Sequence, residues 1–564
     1  MRAVDELDIS YAEIDLPKLE PRLGFLDRLE RRKLLIVVMA VAIGFCARAY
    51  RLDATGFAED ETNKIFAIRC YEQGDFTANA EHPMVMKLMC FASMHSVGAW
   101  NRVAGNKLHL SLSDETALRL PNAGFGALTV VPLFLLTTGL LGFRVGLITS
   151  LFWALGLDAI WFSRTVKEDT LLVFFMLCGF YLYYRAKQVR ASELEVRERL
   201  YALAGAAFGL MMASKYFPHY FGLNALFYTL VGYDRRNNQP LTRRMWTKYF
   251  AALIAAFVIF NPAAFFPETW RYLWKYANEE LLTHHGYLVM DKLFINDMLQ
   301  SPGGNPWYFY FLFIGVKLPL PVLIAFSAGL VEIFRRRGEY PHSRGYLFLR
   351  MMLVFWLLPE AFVGCKFLRY SLTLMPLIYM TAAVGVVALW RMTTFAFGKF
   401  PVSRHAARRL AAVAVAAILI VAPAVQTIRS VAVSYPSLFL NVFGKNRIGY
   451  FFPHDEFYDL GARESIRFVA ETAPHQAMIA SEIPGVVQYY LERFDRPDIR
   501  SEIISQPSFT LNQGERPTFV LLQPGRVYFE NVDNFNFIER TFPLVQASVY
   551  EGAAAARVYE IGNE

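Results

Sequence analysis

Charge and cysteine are scarce in this chain. Asp, Glu, Lys and Arg supply 19% of its 564 residues, against 55% apolar and 15% aromatic residues. A water-soluble chain of this length carries more charge than that. The five cysteines, Cys46, Cys70, Cys90, Cys178 and Cys365, show no metal-ligand spacing. Most read as small apolar packing residues, although Cys70 and Cys90 share one loop and are a disulfide option if that loop faces an oxidising space. The sequence also lacks a Gly-rich nucleotide loop, an internal repeat and a low-complexity tract. No short apolar core precedes a small-residue cleavage site, so the first apolar segment is expected to remain as an anchor.

What the chain has in quantity is apolar sequence, with a mean hydropathy of +0.28. A helix needs about 20 apolar residues to cross about 30 Å of hydrocarbon. Eleven such spans are expected, near 34–50, 117–140, 145–162, 170–186, 200–213, 217–232, 249–265, 308–333, 347–363, 370–390 and 410–429. Arg28, Arg31, Arg32 and Lys33 precede the first, which by the positive-inside rule puts the segment 1–33 in the cytoplasm. Alternation then makes every inner loop basic: Arg144; Arg185 to Arg199; Arg235 to Lys248; Arg335 to Arg337; Arg404 to Arg409. The net charge of +8 therefore reads as cytoplasmic loops and lipid headgroups, not nucleic acid.

The same alternation places outside the long connection 51–116, the turns at 163–169, 214–218 and 364–369, and the loop 266–307. Within the first, Pro83 to Trp100 is apolar but interrupted by Lys87 and His95, and reads as an interfacial helix. Beyond the last span, 431–564 has the charge, Gly and Pro spacing of a small extracytoplasmic α/β domain. Its strands are expected at "HQAMIASEI", "PTFVLLQPG" and "AARVYEIG", with one amphipathic helix at "EFYDLGARESIRFVAETA". The expected fold is thus an all-α bundle of about eleven transmembrane helices with outer juxtamembrane helices, plus this α/β domain.

Ionisable residues where spans end are costly unless paired or used. Asp60 and Glu61 stand just beyond the first span in "TGFAEDETNKIFAIR". The other outer pieces add His82 and Lys87 in "EHPMVMK", Arg164, Lys167, Glu168 and Asp169 in "SRTVKEDT", Lys215 in "ASKYF", His284 and His285 in "THHGY", and Lys366, Arg369 and Tyr370 in "CKFLRYS". Acids and bases gathered on one membrane face suit a general base beside a phosphate headgroup. A carboxylate takes the proton of an attacking hydroxyl, and cations hold the charge of a departing phosphate. Arg369 offers a bidentate fork, and Lys366, Lys215 or Lys87 a point charge. His82, Arg164, Glu168, His284 and His285 remain as further substrate contacts. The adjacent His284 and His285 suit headgroup contact better than a metal pair, and His82 with Glu81 has two readings, a divalent-ion site or a cap for the Pro83 helix.

These segments, together with "ETALRLPNAGFGALTVVPL", "HHGYLVM", "NPWYFYFLFIGVKLPLPVL" and "KFLRYSLTLMPLIYM", resemble in order the protein O-mannosyltransferase family of GT-C glycosyltransferases, a group that includes the aminoarabinose transferases of lipid A. The resemblance covers residues 34–430. It implies a bundle with an outer-facing cavity and an inverting transfer from a polyprenyl-phosphate sugar; the chemistry itself requires no hydrophilic cofactor, and a divalent metal ion is left open. It also implies that Asp60 is the catalytic base, that Glu61 orients the acceptor, that Asp169 is the acid of the second outer loop, and that Lys366, Arg369 and Tyr370 contact the lipid phosphate. The sequence departs from the family in having "HPM" for the commoner "HPP", and its tail matches no acceptor-recognition module. The acceptor, whether protein, lipid or glycan, is left open. The competing class is a flippase for a lipid-linked sugar. It fits less well because such carriers show inverted repeats and mid-membrane charges. A membrane-anchored binding protein leaves the charged cluster without a use.

Overall fold

The computed structural model describes residues 31–190, 192–216, 241–278, 285–335, 343–396, 405–432, 435–509, 511 and 518–561. The expected span at 217–232, Arg28, Arg235, Arg236, Arg336, Arg337, Arg404 and His284 lie outside the described residues.

The helices in chain order are α1 (Lys33–Ala49), α2 (Glu59–Glu72), α3 (Met84–Trp100), α4 (Asp114–Leu128), α5 (Val130–Leu141), α6 (Phe143–Ala154), α7 (Leu157–Ser163), α8 (Glu168–Gln188), α9 (Leu194–Ser214), α10 (Arg243–Phe260), α11 (Pro267–Ala277), α12 (Phe309–Lys317), α13 (Leu320–Arg335), α14 (Ser343–Phe362), α15 (Met375–Ala396) and α16 (His405–Ala432). Among the described residues, four helical stretches are long and apolar enough to cross a membrane: Asp114–Leu141, Ser343–Phe362, Met375–Thr393 and Val413–Ala432. The pair α6 and α7, bent by 50°, makes a fifth if taken as one broken span. Large apolar side chains stay exposed on α1 (Leu34, Val38, Met39) and α16 (Val413, Ile418, Val421, Val425, Ile428). Only a hydrocarbon solvent makes such faces favourable, and the chain is an integral membrane protein.

The expected span 308–333 is two helices. Leu318 adopts an extended ψ of 135° before Pro319, which disfavours the helical conformation of its neighbour and ends α12. The interfacial helix is present as α3, with Pro83 at its N-cap. Inside the bundle, α13 and α15 cross at Gly329 and Gly385, where a Cβ would collide with the backbone oxygens of Thr381 and Ala325. Small residues at such crossings let membrane helices approach closely.

After α16 the chain forms the expected α/β unit. A five-stranded sheet has the order β4-β3-β5-β7-β6, built from β3 (Met478–Ser481), β4 (Arg500–Ile503), β5 (Phe519–Leu522), β6 (Leu544–Tyr550) and β7 (Ala553–Glu560). A separate two-stranded pair, β1 (Tyr287–Val289) and β2 (Lys292–Phe294), lies in the outer loop before α12. β3 pairs in parallel with β4 and β5, and β7 runs antiparallel between β5 and β6.

The expected single helix "EFYDLGARESIRFVAETA" is broken. It appears as α17 (Pro453–Phe457) and α18 (Ala462–Thr472), separated by left-handed residues at Tyr458 (φ 41°), Asp459 (φ 61°) and Gly461 (φ 85°). Gly461 also has no room for a side chain, since a Cβ would lie 2.6 Å from that of Ser548. Two further helices complete the unit, α19 (Pro484–Arg493) and α20 (Val532–Thr541). One apolar core joins Phe57, Ile65 and Ile68 of the first outer loop to Ile466, Val469, Ile479, Val486 and Val558 of this unit. All five cysteines are free, so the Cys70–Cys90 disulfide does not form. Cys90 is buried against the Leu118 carbonyl instead.

Candidate active site

Three consecutive acids, Glu59, Asp60 and Glu61, form the first turn of α2, where the helix dipole favours negative charge. Each is held by a different element. Glu61 is fully buried and takes Arg119 Nε at 2.9 Å and Nη2 at 2.6 Å. It also accepts the backbone N–H of Val166 and of Ala58, both at 3.0 Å. Arg119 spends its remaining donors on the carbonyls of Leu52, Thr55 and Gly56. Both Glu61 oxygens are thereby saturated, and the residue sets the entry to α2 from within the protein. The acceptor-orienting role suggested by the resemblance needs a free oxygen that it does not have.

Asp60 points the other way, with its side chain 31% exposed. Its Oδ2 is ion-paired with Lys167 and accepts the Tyr458 hydroxyl at 2.7 Å. Among the described residues no donor reaches its Oδ1. Burial, together with the nearby Arg369 guanidinium, pushes the Lys167 amine well below its usual pKa.

Behind this pair the next residues of the second outer turn are also committed. Glu168 pairs with Lys64 at 2.9 Å, with His82 Nδ1 at 4.0 Å. Asp169 takes Lys215 at 2.6 Å. Burial pushes His82 down to about 4, so it is neutral there despite the Glu168 carboxylate. Lys215 lies 4.2 Å over the Tyr370 ring, and Arg369 5.4 Å from the same ring and 3.9 Å over Phe367. Tyr370 thus holds two cations side by side. Burial alone favours a neutral Arg369, but Tyr370, Tyr458, Asp455 and Asp169 around it outweigh that and raise its pKa. Among the described residues the Arg369 guanidinium has no hydrogen-bond acceptor and no ion-pair partner.

Other expected cations serve the scaffold. Lys366 donates to the carbonyls of Asn305, at 2.9 Å, and Val363, and burial lowers it to about 8. Lys87 donates to those of Ala78, Asn79 and His82. Arg164 caps the C-terminal end of α1 through the carbonyls of Ala47, Arg48, Tyr50 and Arg51. Their heads face backbone oxygens of turns, loops and helix ends, carbonyls that need donors when they are not in a helix or sheet ladder. The phosphate or substrate contact expected of these three is not where they point. His285 binds Glu530 of the C-terminal unit, Nδ1 to Oε1 at 2.8 Å, and joins the two parts of the protein. Glu81 accepts from Asn79, and His82 faces Glu168 instead of Glu81. Among the described residues no three His, Cys, Asp or Glu side chains gather as a metal site.

Lys167 was named in the outer cluster without a role, while Tyr458, also on Asp60, and Arg119 were not among the site residues expected. An arginine inside the apolar helix "ETALRLPNAG" was the available signal for Arg119. Beside the acidic turn lies a solvent-open cleft lined by Arg51, Thr55, Trp161, Thr165, Val431 and Tyr458, among others.

The fold is of the GT-C glycosyltransferase type. Its overall course is similar to that of ArnT from Cupriavidus metallidurans in the apo state, with a TM-score of 0.51 and 13% identity, covering 94% of this chain and 98% of that one. It is also similar to the same protein bound to undecaprenyl phosphate (TM-score 0.47, 14% identity, 94% and 98% covered) and to the Archaeoglobus fulgidus oligosaccharyltransferase tethered with an acceptor peptide (TM-score 0.49, 12% identity, 93% and 74% covered). Residues 97–266 match the family described as dolichyl-phosphate-mannose-protein mannosyltransferase. That agrees with the resemblance carried by the outer-loop motifs. No curated protein matches the sequence.

Proposed function

We propose that this protein is an inverting glycosyltransferase that moves a hexosyl or pentosyl group from a polyprenyl-phosphate carrier to an acceptor on the extracytoplasmic face. The observation that carries the reading is an open Asp60 oxygen in the same cluster as an unpartnered, charged Arg369. The acceptor hydroxyl attacks the anomeric carbon while Asp60 Oδ1 takes its proton. The bond from that carbon to the phosphate oxygen breaks, and the electron pair leaves with the polyprenyl phosphate. Arg369 grips two phosphate oxygens as charge develops, and Lys215 beside it adds a second positive charge. Asp169 keeps Lys215 in place. The match to the mannosyltransferase family supports a lipid-linked donor, and the site needs no nucleotide pocket or metal for this step.

The test is purified protein in detergent or nanodiscs with a labelled polyprenyl-phosphate sugar, and in parallel with a soluble nucleotide sugar. Transfer from the lipid-linked donor with inverted anomeric configuration is expected. Transfer from the nucleotide sugar alone contradicts the reading. Movement of the intact lipid-linked sugar across a vesicle with no transfer favours a flippase.

A further inference from the structure

The α/β unit reaches into the site through one strained turn. Tyr458 and Asp459 are successive left-handed residues, at φ 41° and 61°, and neither is glycine. Such conformations persist only where the surroundings over-determine them, and they collect at functional sites. Here the surroundings are explicit. Asp459 is buried and takes Arg526 Nε at 2.8 Å and Nη2 at 2.5 Å, and it accepts the backbone N–H of Glu59 at 2.9 Å. Arg526 Nη1 reaches Glu59 Oε2 at 2.6 Å. The turn is therefore bolted to the first residue of α2, one position before Asp60.

This anchoring aims Tyr458. Its hydroxyl donates to Asp60 Oδ2 at 2.7 Å, and its ring lies 5.4 Å from Lys167 Nζ. Burial raises the phenol well above its usual pKa, so it stays protonated and acts as a donor. Tyr458 and Lys167 both engage Oδ2, and among the described residues no donor reaches Oδ1. A tyrosine that served only to pack the domain would not need its hydroxyl on the Asp60 carboxylate.

We propose that Tyr458 is a positioning residue for the transfer, supplied by the C-terminal unit, which fixes the Asp60 carboxylate so that its second oxygen meets the acceptor hydroxyl. The proposal rests on the reading of Asp60 as general base. It makes the α/β unit part of the catalytic site, alongside whatever acceptor contacts it provides.

The experiment compares full-length wild type, Tyr458→Phe, Asp60→Asn and the double variant with a labelled polyprenyl-phosphate sugar, following kcat, KM and the melting temperature. Phenylalanine keeps the ring and the turn and removes only the donor. Tyr458→Phe is expected to lower kcat by about 10- to 100-fold, the scale for a misplaced catalytic group, with donor KM within about twofold. The double variant should be no slower than Asp60→Asn alone, because groups acting as a unit are not additive. Turnover of Tyr458→Phe within about threefold of wild type overturns the proposal, as does a multiplicative double variant. If Tyr458→Phe lowers the melting temperature, a fluorinated tyrosine at 458 replaces it. A severalfold change in kcat with the donor strength of the phenol then supports the proposal, and an unchanged kcat overturns it. An Asp60→Asn variant as active as wild type removes the base reading itself, which distinguishes that failure from the failure of Tyr458.

Discussion

The Glu61 carboxylate and the Arg119 guanidinium meet through two parallel hydrogen bonds, at 2.9 and 2.6 Å, sealed from solvent beneath the turn that presents Asp60. A buried pair of this kind adds little over an apolar substitute, but removing one partner strands the other. Arg119→Met is therefore expected to cost about 3 to 5 kcal/mol of stability, measured by thermal or denaturant unfolding in detergent. Unchanged stability with a rise only in acceptor KM would restore to Glu61 the acceptor-orienting role.

Unlike Lys87, Lys366 and Arg164, Arg369 has no acceptor on its fork among the described residues. Lysine in its place keeps the charge but loses bidentate geometry. Arg369→Lys is expected to weaken use of the lipid-phosphate donor by about 1.5 to 3 kcal/mol in kcat/KM, and Arg369→Ala by more. Lys366→Met, whose ammonium holds two backbone carbonyls, should act on stability instead. Indifference to both Arg369 substitutions would place the phosphate elsewhere.

Two partly buried histidines set a pH dependence. Burial, with Arg526 nearby, pushes His454 down to about 4, and burial does the same for His82. In the unfolded chain both protonate near the usual 6.5. Between about 4 and 6.5 the unfolded state binds more protons, so stability is present above this window and is lost as pH falls through it. Melting curves from pH 7 to 4 should fall for wild type and fall less for the His82→Gln, His454→Gln double variant. Parallel curves would show that neither histidine is held neutral.

Charge at the inner loops leads us to expect the C-terminal unit on the extracytoplasmic face. A cysteine at the exposed position 508, in a chain whose five native cysteines are replaced, should react with an impermeant maleimide in intact cells or right-side-out vesicles. Reaction only after permeabilisation would reverse the active face.

Much of this was readable from the residues. Asp60, Lys215 and Arg369 stand at the ends of apolar runs, and Pro83 marks the start of α3, because polar groups at a membrane face and proline at a helix start have few other uses. What sequence does not show is which way a charge points. Lys87, Lys366 and Arg164 resemble Arg369 in their setting, yet their heads are consumed by backbone carbonyls of turns, loops and helix ends. Tyr458 was hidden for another reason. Its stretch has helical periodicity, and the left-handed break at 458–461 is stabilised by Arg526 and Glu59, distant in the chain. The partner of Asp60 lies 398 residues away, a separation that local pattern cannot bridge.

The central claim is that Asp60 is the general base of a sugar transfer from a lipid phosphate. The most direct measurement is single-turnover transfer from a labelled polyprenyl-phosphate sugar by wild type and by Asp60→Asn, with donor binding and melting temperature followed on the same samples. The account expects transfer to fall about a hundredfold or more while binding and melting stay as in wild type. Transfer within a few fold of wild type would contradict it.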